Sequence, residues 1–228
     1  MEKSRIELFI EELNSCILQN HESIKDIFNA KYGYPELDPI RDEICKCIIC
    51  NLHQASITLT NHLLESSLKK CLIMNYSVAN KQTDATIENA FKKGTEQFDK
   101  LKLDETISRA CTQGLITKEQ KKMLKKFKDD FRNPYSHAEA TKIFKDTTVI
   151  GKSISLTKDE EPEKFLERIF DNSTDNQLNV IDILPVHGII QIIIAKQISV
   201  PYFKKVDEII REMLLKISKP NRKQTIND

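Results

Sequence analysis

One short segment, from Phe131 to Ala138, combines residue types that together could act on a phosphate ester. Arg132 carries a permanent charge on a planar guanidinium, which can hold a phosphate through two parallel hydrogen bonds. Five residues later, His137 supplies an imidazole that titrates near neutral pH, as a general base requires. Proline disfavours helix at the residue before it, so we expect Asn133 to cap a new helix with Pro134 at its first position.

This helix start would place His137 about one turn into the helix and Arg132 just outside it. The free backbone N–H groups and positive dipole end of a helix favour a bound phosphate. The same field disfavours imidazolium, so His137 is expected to stay neutral and available as a base. The net charge of the chain is only +1, but the helix upstream supplies a local positive patch. Its lysines are Lys118, Lys121, Lys122, Lys125, Lys126 and Lys128.

The elements that must position this segment are predicted to be helices. Glycine is scarce, at 5 residues in 228, and apolar side chains recur at helical spacing. The predicted helices cover residues 4–19, 38–76, 80–100, 117–131 and 184–218. Asp38 and Pro39 are read as the cap and first residue of the second, which is either one long helix or two nearly collinear ones.

The apolar pattern also predicts which helix faces are buried. Ile87, Phe91 and Phe98 are the large apolar residues of the helix over 80–100, and Met123, Leu124, Phe127 and Phe131 mark the buried face of the helix that ends near residue 131. In the last helix, the half before Pro201 is apolar nearly all round and is therefore expected to be buried. Pro201 itself should kink or divide that helix. No heptad array, internal repeat or low-complexity tract is evident.

Residues 146–157 depart from the helical period and predict a small β-hairpin around Gly151, whereas polar residues 171–179 predict a loop. The expected architecture is an all-α bundle of long helices with this small hairpin as an insertion. It forms one domain over residues 1–220, followed by a polar tail over 221–228.

An Arg, a polar neighbour and a His, at the junction of two helices in an all-α chain, resemble the motif of the HEPN superfamily. Arg132, Asn133 and His137 match that motif. Residues 61–69 look like the amphipathic helix that precedes the motif in many members, and residues 201–207 resemble the closing helix of bacterial members. The resemblance to a HEPN-like helical bundle covers most of the chain, and the motif is its diagnostic part.

The resemblance implies a metal-independent endoribonuclease, serving as a toxin or phage-defence effector and leaving a 2′,3′-cyclic phosphate. His137 would be the general base on the ribose 2′-hydroxyl, Arg132 would stabilise charge on the phosphate, and Asn133 would orient one of these groups. The resemblance also implies RNA as substrate and a homodimer that joins two copies of the motif, with the apolar closing helix in its interface. An antitoxin or activating partner protein would accompany it.

Further side chains are candidates for supporting roles. Glu65 could position Arg132, while Tyr135 and Ser136 lie inside the motif. RNA contacts are expected from Lys121, Lys122, Lys125 and Lys126. Members modified by a nucleotidyltransferase usually have Tyr two residues after the His, and Glu139 at that position here weakens the expectation of such a partner.

Two other interpretations stand beside the enzyme. In one, the fold binds RNA or a protein partner without cutting. In the other, Arg132 forms a surface ion pair, His137 has an ordinary hydrogen bond, and the lysines are a solvated helix face.

No metal or cofactor is expected. Cys45, Cys47, Cys50 and His53 cannot converge on one ion from a straight helix, and no phosphate-binding loop or Rossmann fingerprint is present. No apolar run approaches the roughly 18 residues that span a bilayer. The chain start lacks the basic and apolar regions of a signal peptide, so we expect a cytoplasmic protein whose six cysteines are reduced.

Overall fold

The computed structural model describes residues 3–80, 86–137, 139–151, 176–183 and 186–218. Its helices are α1 (Arg5–Asn29), α2 (Asp38–Ile49), α3 (His53–Asn80), α4 (Ile87–Phe98), α5 (Leu103–Thr112), α6 (Lys118–Phe127), α7 (Asn133–His137), α8 (Ala140–Phe144) and α9 (His187–Ser218). A π-helical turn over Lys128–Arg132 joins α6 to α7, and a 3₁₀ turn over Val180–Asp182 precedes α9. Two short strands, β1 (Thr148–Gly151) and β2 (Asn176–Asn179), complete a fold that is otherwise all-α, as predicted.

At the centre of the bundle α3 packs along α9, and α2, α4 and α5 contact α3. The faces that meet there form one large apolar core of almost fully buried side chains. It includes Leu64, Leu68 and Leu72 of α3 with Phe203, Val206 and Ile210 of α9. A second, smaller cluster joins α8 and the 3₁₀ turn to the start of α9. Its buried members are Ile143, Phe144 and Val180.

A buried ion pair fixes α2 to α9. The Arg41 Nε donates to Asp207 at 2.9 Å, and the same guanidinium donates to the carbonyl of Ile27 near the end of α1. Tyr32 and Arg211 each donate to the Asp207 carboxylate at 2.7 Å. Burial and the Asp207 charge both raise the pKa of Tyr32. Because α2, α9 and the α1–α2 loop meet at this carboxylate, and Arg41 extends the contacts to α1, this end of the bundle is held together by one polar cluster.

The predicted helix over 38–76 is in fact two helices. They are separated at residues 50–52, where Asn51 adopts the left-handed conformation with φ of 63°. Asparagine tolerates this conformation better than most residues do. The two helices pack against each other, so the prediction of nearly collinear helices is wrong.

Asp38 does not cap the helix that it begins. Its carboxylate instead accepts the backbone N–H groups of Tyr32, Gly33 and Tyr34, at 2.7, 3.0 and 3.1 Å. The position before the helix is Leu37, which provides no side-chain cap. Asp38 therefore stabilises the loop before α2, and the capping prediction is wrong.

The buried face of α4 includes only one of its three large apolar residues. Phe98 is buried, but Ile87 and Phe91 are 56% and 41% exposed. The buried positions are Ala90, Gly94 and Phe98, which follow one another at intervals of four residues. The small residues at 90 and 94 let α4 approach α3 closely.

α9 runs without division through Pro201, so the alternative of two separate helices is wrong. Its first half is not buried all round. Ile189, Ile192 and Ile193 are 64%, 53% and 48% exposed, whereas Ile190 and Ile194 pack on the second cluster.

β1 pairs with β2 in an antiparallel ladder, with Thr148 opposite Asn179 and Gly151 opposite Asn176. β1 falls within the predicted hairpin. Residues 176–179 were predicted to be loop, and for them that prediction is wrong. The expected return strand near residues 153–156 lies outside the described residues.

Candidate functional site

Arg132 lies on the π-helical turn, and the cause of this turn is Pro134. Proline has no N–H, and in an α-helix its ring would clash with the carbonyl four residues earlier. Here the pairing shifts, and the N–H of Asn133 donates to the carbonyl of Lys128, five residues back. π-turns of this kind occur frequently at functional sites.

The chain therefore passes from α6 to α7 without a break. Asn133 has helical angles, φ −66° and ψ −51°, rather than the extended conformation of a cap. The predictions of Asn133 as N-cap and Pro134 as the first residue of a new helix are both wrong. The open helix end that was to bind phosphate and keep His137 neutral does not exist at this point.

An aromatic cluster fixes the π-turn to the core. Phe127 directly precedes the turn and Phe131 lies within it, and their ring centroids lie 5.0 and 4.8 Å from that of Tyr202 in α9. The Tyr202 hydroxyl donates to Asn61 of α3 at 2.6 Å. Arg132 directly follows one of these anchors, so its backbone is held by contacts with both central helices.

The Arg132 side chain is half-buried and has one hydrogen bond, from Nη1 to the Asn133 Oδ1 at 3.2 Å. Across the described ranges, no carboxylate lies within ion-pair distance of it. The surface ion pair considered as an alternative for Arg132 is thus not found there. A guanidinium with most of its donors unused is suited to an anion.

His137 is the last residue of α7, four positions after Asn133. The side chains of His137 and Ser136 lie outside what the structure describes. The structure therefore describes the backbone positions of both Arg132 and His137, but the side-chain environment of Arg132 alone.

Tyr135, between them, packs against both apolar clusters. Its hydroxyl oxygen is buried and has no hydrogen-bond partner among the described residues, and burial raises the pKa of this phenol to about 12. Tyr135 thus keeps its proton at physiological pH and connects the motif helix to the second cluster.

Glu65 lies on α3, the helix that contacts the π-turn. Its carboxylate pairs with Lys69 at 3.2 Å. No hydrogen bond or ion pair between Glu65 and Arg132 is present in the described structure. A positioning role for Glu65 remains a prediction.

The lysines upstream fall into two groups. Lys125 and Lys128 bind the same carboxylate, Asp104 of α5, at 3.1 and 2.9 Å. Their hydrogen bonds hold the pKa of Asp104 below its usual range. The others have no ion pair within the described residues; they are Lys118, Lys121, Lys122 and Lys126. Three of the four lysines predicted to contact RNA are therefore free cations, and Lys125 is partly neutralised.

A further ion pair connects the turn to the element after it. Lys145 follows α8 with φ of 47°, an uncommon conformation for a residue with a side chain, and pairs with Asp130 of the π-turn at 3.1 Å. α8 and the π-turn are also in direct contact. The motif is thus held on one side by Tyr202 and on the other by Lys145, and neither residue was identified from the sequence.

Within the described ranges, no three His, Cys, Asp or Glu side chains are grouped as metal ligands. No helix there is long and apolar enough to cross a membrane. Two shallow surface pockets, of about 410 and 360 Å³, lie on either side of Arg211, and Arg132 lines neither of them.

No protein-family model matches this chain, and neither a curated protein nor a solved structure does.

Proposed function

We propose that the chain is a metal-independent endoribonuclease of the HEPN type, acting in the cytoplasm as a toxin or defence effector. The observation that carries the proposal is Arg132: a half-buried guanidinium without a carboxylate partner in the described structure, five residues before His137. The anchored π-turn gives it a fixed backbone, and the free lysines of α6 supply positive charge nearby.

In the proposed reaction His137 takes the proton of a ribose 2′-hydroxyl. The 2′-oxygen attacks the adjacent phosphorus, the bond to the 5′-oxygen breaks, and the leaving oxygen takes a proton from water or a second histidine. The products are a 2′,3′-cyclic phosphate and a 5′-hydroxyl, so no oxidant or metal is consumed. Arg132 stabilises the charge on the phosphate when the phosphorus is pentacoordinate.

Asn133 supports this arrangement in a defined way. Its Oδ1 accepts from Arg132, which leaves its Nδ2 free to donate to a phosphate oxygen. Positions 133 and 137 are four residues apart and share a face of α7. The amide and the base would then address the same phosphodiester, with a second copy of the chain contributing its own motif.

The test is cleavage of RNA by purified protein in the presence of EDTA. Wild-type protein should give discrete fragments with cyclic phosphate ends, and His137→Ala should give none while its far-UV circular dichroism is unchanged. Arg132→Lys keeps the charge but loses the planar fork, so cleavage should fall about 100-fold. Arg109→Lys, the same change at an exposed arginine of α5, is the matched control and should cut normally.

Growth arrest on induced expression is the companion experiment, with total RNA examined on a denaturing gel. Arrest by wild-type protein alone, with RNA fragments, supports the enzyme. Equal toxicity of the wild type and His137→Ala, with intact RNA, would contradict it.

The second candidate is a non-catalytic HEPN-fold module that binds RNA or protein. The continuous helix through Asn133 favours it, because the open helix end that would have assisted His137 is missing. The free lysines of α6 would suffice for RNA binding. Binding of RNA by wild type and His137→Ala alike, with no cleavage by either, would support this candidate.

A further inference from the structure

The first helix has an apolar stripe that the fold leaves open. α1 begins with a complete capping box, in which the Ser4 hydroxyl accepts from the Glu7 N–H and the Glu7 carboxylate accepts from the Ser4 N–H. From Asn20 onward the helix is attached to the body: the Asn20 side chain donates to the Ile49 carbonyl at 3.2 Å, and Ile24 is buried. The preceding 15 residues, about 22 Å of helix, have no comparable contact in the described structure.

The stripe follows a coiled-coil spacing, with steps of four and three residues in alternation. Its positions are Ile6, Ile10, Leu13, Ile17, Asn20, Ile24 and Ile27. The last two, Ile24 and Ile27, pack on the core of the protein itself. Ile6, Ile10 and Ile17 are 61%, 50% and 39% exposed. Leu13, between them, is half-buried. Among the described residues, one continuous seam is thus packed at its end and largely open over its first three turns.

Phe9, 55% exposed, widens the seam on one side. Monomeric proteins rarely expose an apolar stripe of this length without a partner. With Phe9 the stripe exposes four large apolar side chains, one more than the outer face of α9, where Ile189, Ile192 and Ile193 are open. α1 is therefore the stronger candidate for an interface.

We propose that a second copy of the chain packs its own α1 along this seam. The charges favour a second copy over a charged partner. The positions that flank the seam are Glu7, Phe9, Asn14 and Cys16, so only one of the four is charged. Two identical helices would meet little like-charge repulsion there, and no complementary charge is required. Lys3 and Glu11 neutralise each other within one copy, at 2.6 Å.

The stripe is its own complement, since a copy of α1 presents the same isoleucines and leucine. Two heptads are short for an isolated coiled coil, but α1 is already a helix, begun by its capping box and continued into the core. Most of the cost of ordering the helix is therefore met by folding, and pairing adds apolar burial.

The experiment is the molar mass of the full chain by light scattering during gel filtration. Wild type should have twice the 26.4 kDa of one chain. The double variant Ile10→Glu, Ile17→Glu should have half the wild-type mass with an unchanged circular dichroism spectrum, because both side chains are exposed in one copy. Leu8→Glu is the matched control: Leu8 is 53% exposed on the opposite face of α1 and should leave the dimer intact.

A monomeric wild type would overturn the proposal. So would a double variant that keeps the wild-type mass, a Leu8→Glu variant that dissociates equally, or dissociation by Ile192→Glu alone, which would place the interface on α9. Because the readout is mass, the result is independent of whether the protein cuts RNA.

Discussion

Arg41 and Asp207 form an ion pair inside the protein, with Nε 2.9 Å from Oδ1 and the two side chains only 3% and 5% exposed. Arg41 lies on α2 and Asp207 on α9, and these two residues are 166 positions apart in the chain. Tyr32 and Arg211 complete the contacts of the carboxylate, so no single helix of this end can shift without breaking a buried hydrogen bond.

Removing one partner should therefore be costly. Asp207→Asn leaves the Arg41 charge buried without its counterion, and we expect the free energy of unfolding to fall by about 3–5 kcal/mol. Glu208→Gln, one residue along, breaks an exposed pair with Lys205 and should change it by less than about 1 kcal/mol. Urea denaturation of the two variants measures both. Similar small losses for both would show that the buried pair contributes no more than the exposed one.

His53 predicts a dependence of stability on pH. Its ring is bonded to Ser199 and to Asn51, each at 2.7 Å. Burial, and then the nearby charge of Lys196, lower its pKa in the folded protein. The unfolded chain, with a pKa of about 6.5, then binds the proton more readily. The contribution of His53 to stability should be complete at pH values above this unfolded-state pKa. It should decrease as the pH falls towards the lower pKa of the folded state.

The measurement is the free energy of unfolding between pH 8 and pH 5, as the difference between wild type and His53→Gln. The variant should lose less stability on acidification than the wild type does. His21→Gln, the same change at a half-buried histidine of α1, is the control variant. A difference between wild type and His53→Gln that is constant across this range would contradict the linkage.

The shared carboxylate Asp104 predicts opposite effects of two kinds of variant on RNA binding. Replacing Lys121, Lys122 and Lys126 by Ala removes free cations, and each should lower the salt dependence of single-stranded RNA affinity by about 0.7 in logarithmic slope. Asp104→Asn releases Lys125 and Lys128 and should raise affinity. Fluorescence anisotropy measures the RNA affinity, and every protein tested also carries His137→Ala so that the RNA is not cleaved. An unchanged slope in the triple variant would remove α6 from the RNA surface.

Substitutions at two helical glycines should change the stability of the protein in opposite directions. A β-carbon at Gly94 would lie 3.3 Å from Ile73 and Tyr76 of α3, whereas one at Gly188 would meet nothing within 4 Å. Gly94→Val should destabilise the protein by about 1–3 kcal/mol through crowding. Gly188→Ala should stabilise it by about 0.5 kcal/mol through helix propensity. Thermal melting separates them, and a neutral Gly94→Val would mean that α4 and α3 are not in close contact.

The sequence predicts best where local chemistry is decisive. The helix predicted over 117–131 begins as α6 at Lys118, and Thr117 caps it through a capping box with Gln120. The break between α2 and α3 has no proline or glycine to mark it. It depends on Asn51, whose conformation is fixed by helices that pack only in the folded chain. α5, between residues 103 and 112, has no strong apolar run and was not predicted. Its residue Asp104, the partner of Lys125, was therefore missed as well.

The residue types were enough to select the candidate site, but they did not predict its local structure. Asn133 and Pro134 have the chemistry of a helix start, and proximity to the packed aromatic cluster keeps them in a continuous helix instead. The partner of β1 lies beyond residue 175, and such distant pairing is not encoded in local periodicity. The apolar periodicity predicted the first part of α1, but the helix was expected to end at 19, ten residues short of Asn29, so the continuation of its seam into the core was missed.

The π-turn also sets the rotational phase of the residues around it. In an α-helix, side chains four residues apart advance about 40° around the axis, so a strict interval of four drifts off any one face. Phe127, Phe131 and Tyr135 keep that interval, and all three still pack on the main core. The wider turn takes up the drift. Deleting one residue between 128 and 132 should therefore restore α-helical pairing and leave Tyr135 close to its present alignment with the aromatic anchors. A regular α-helix of unchanged length would instead turn Tyr135 and the segment up to His137 by about 100°.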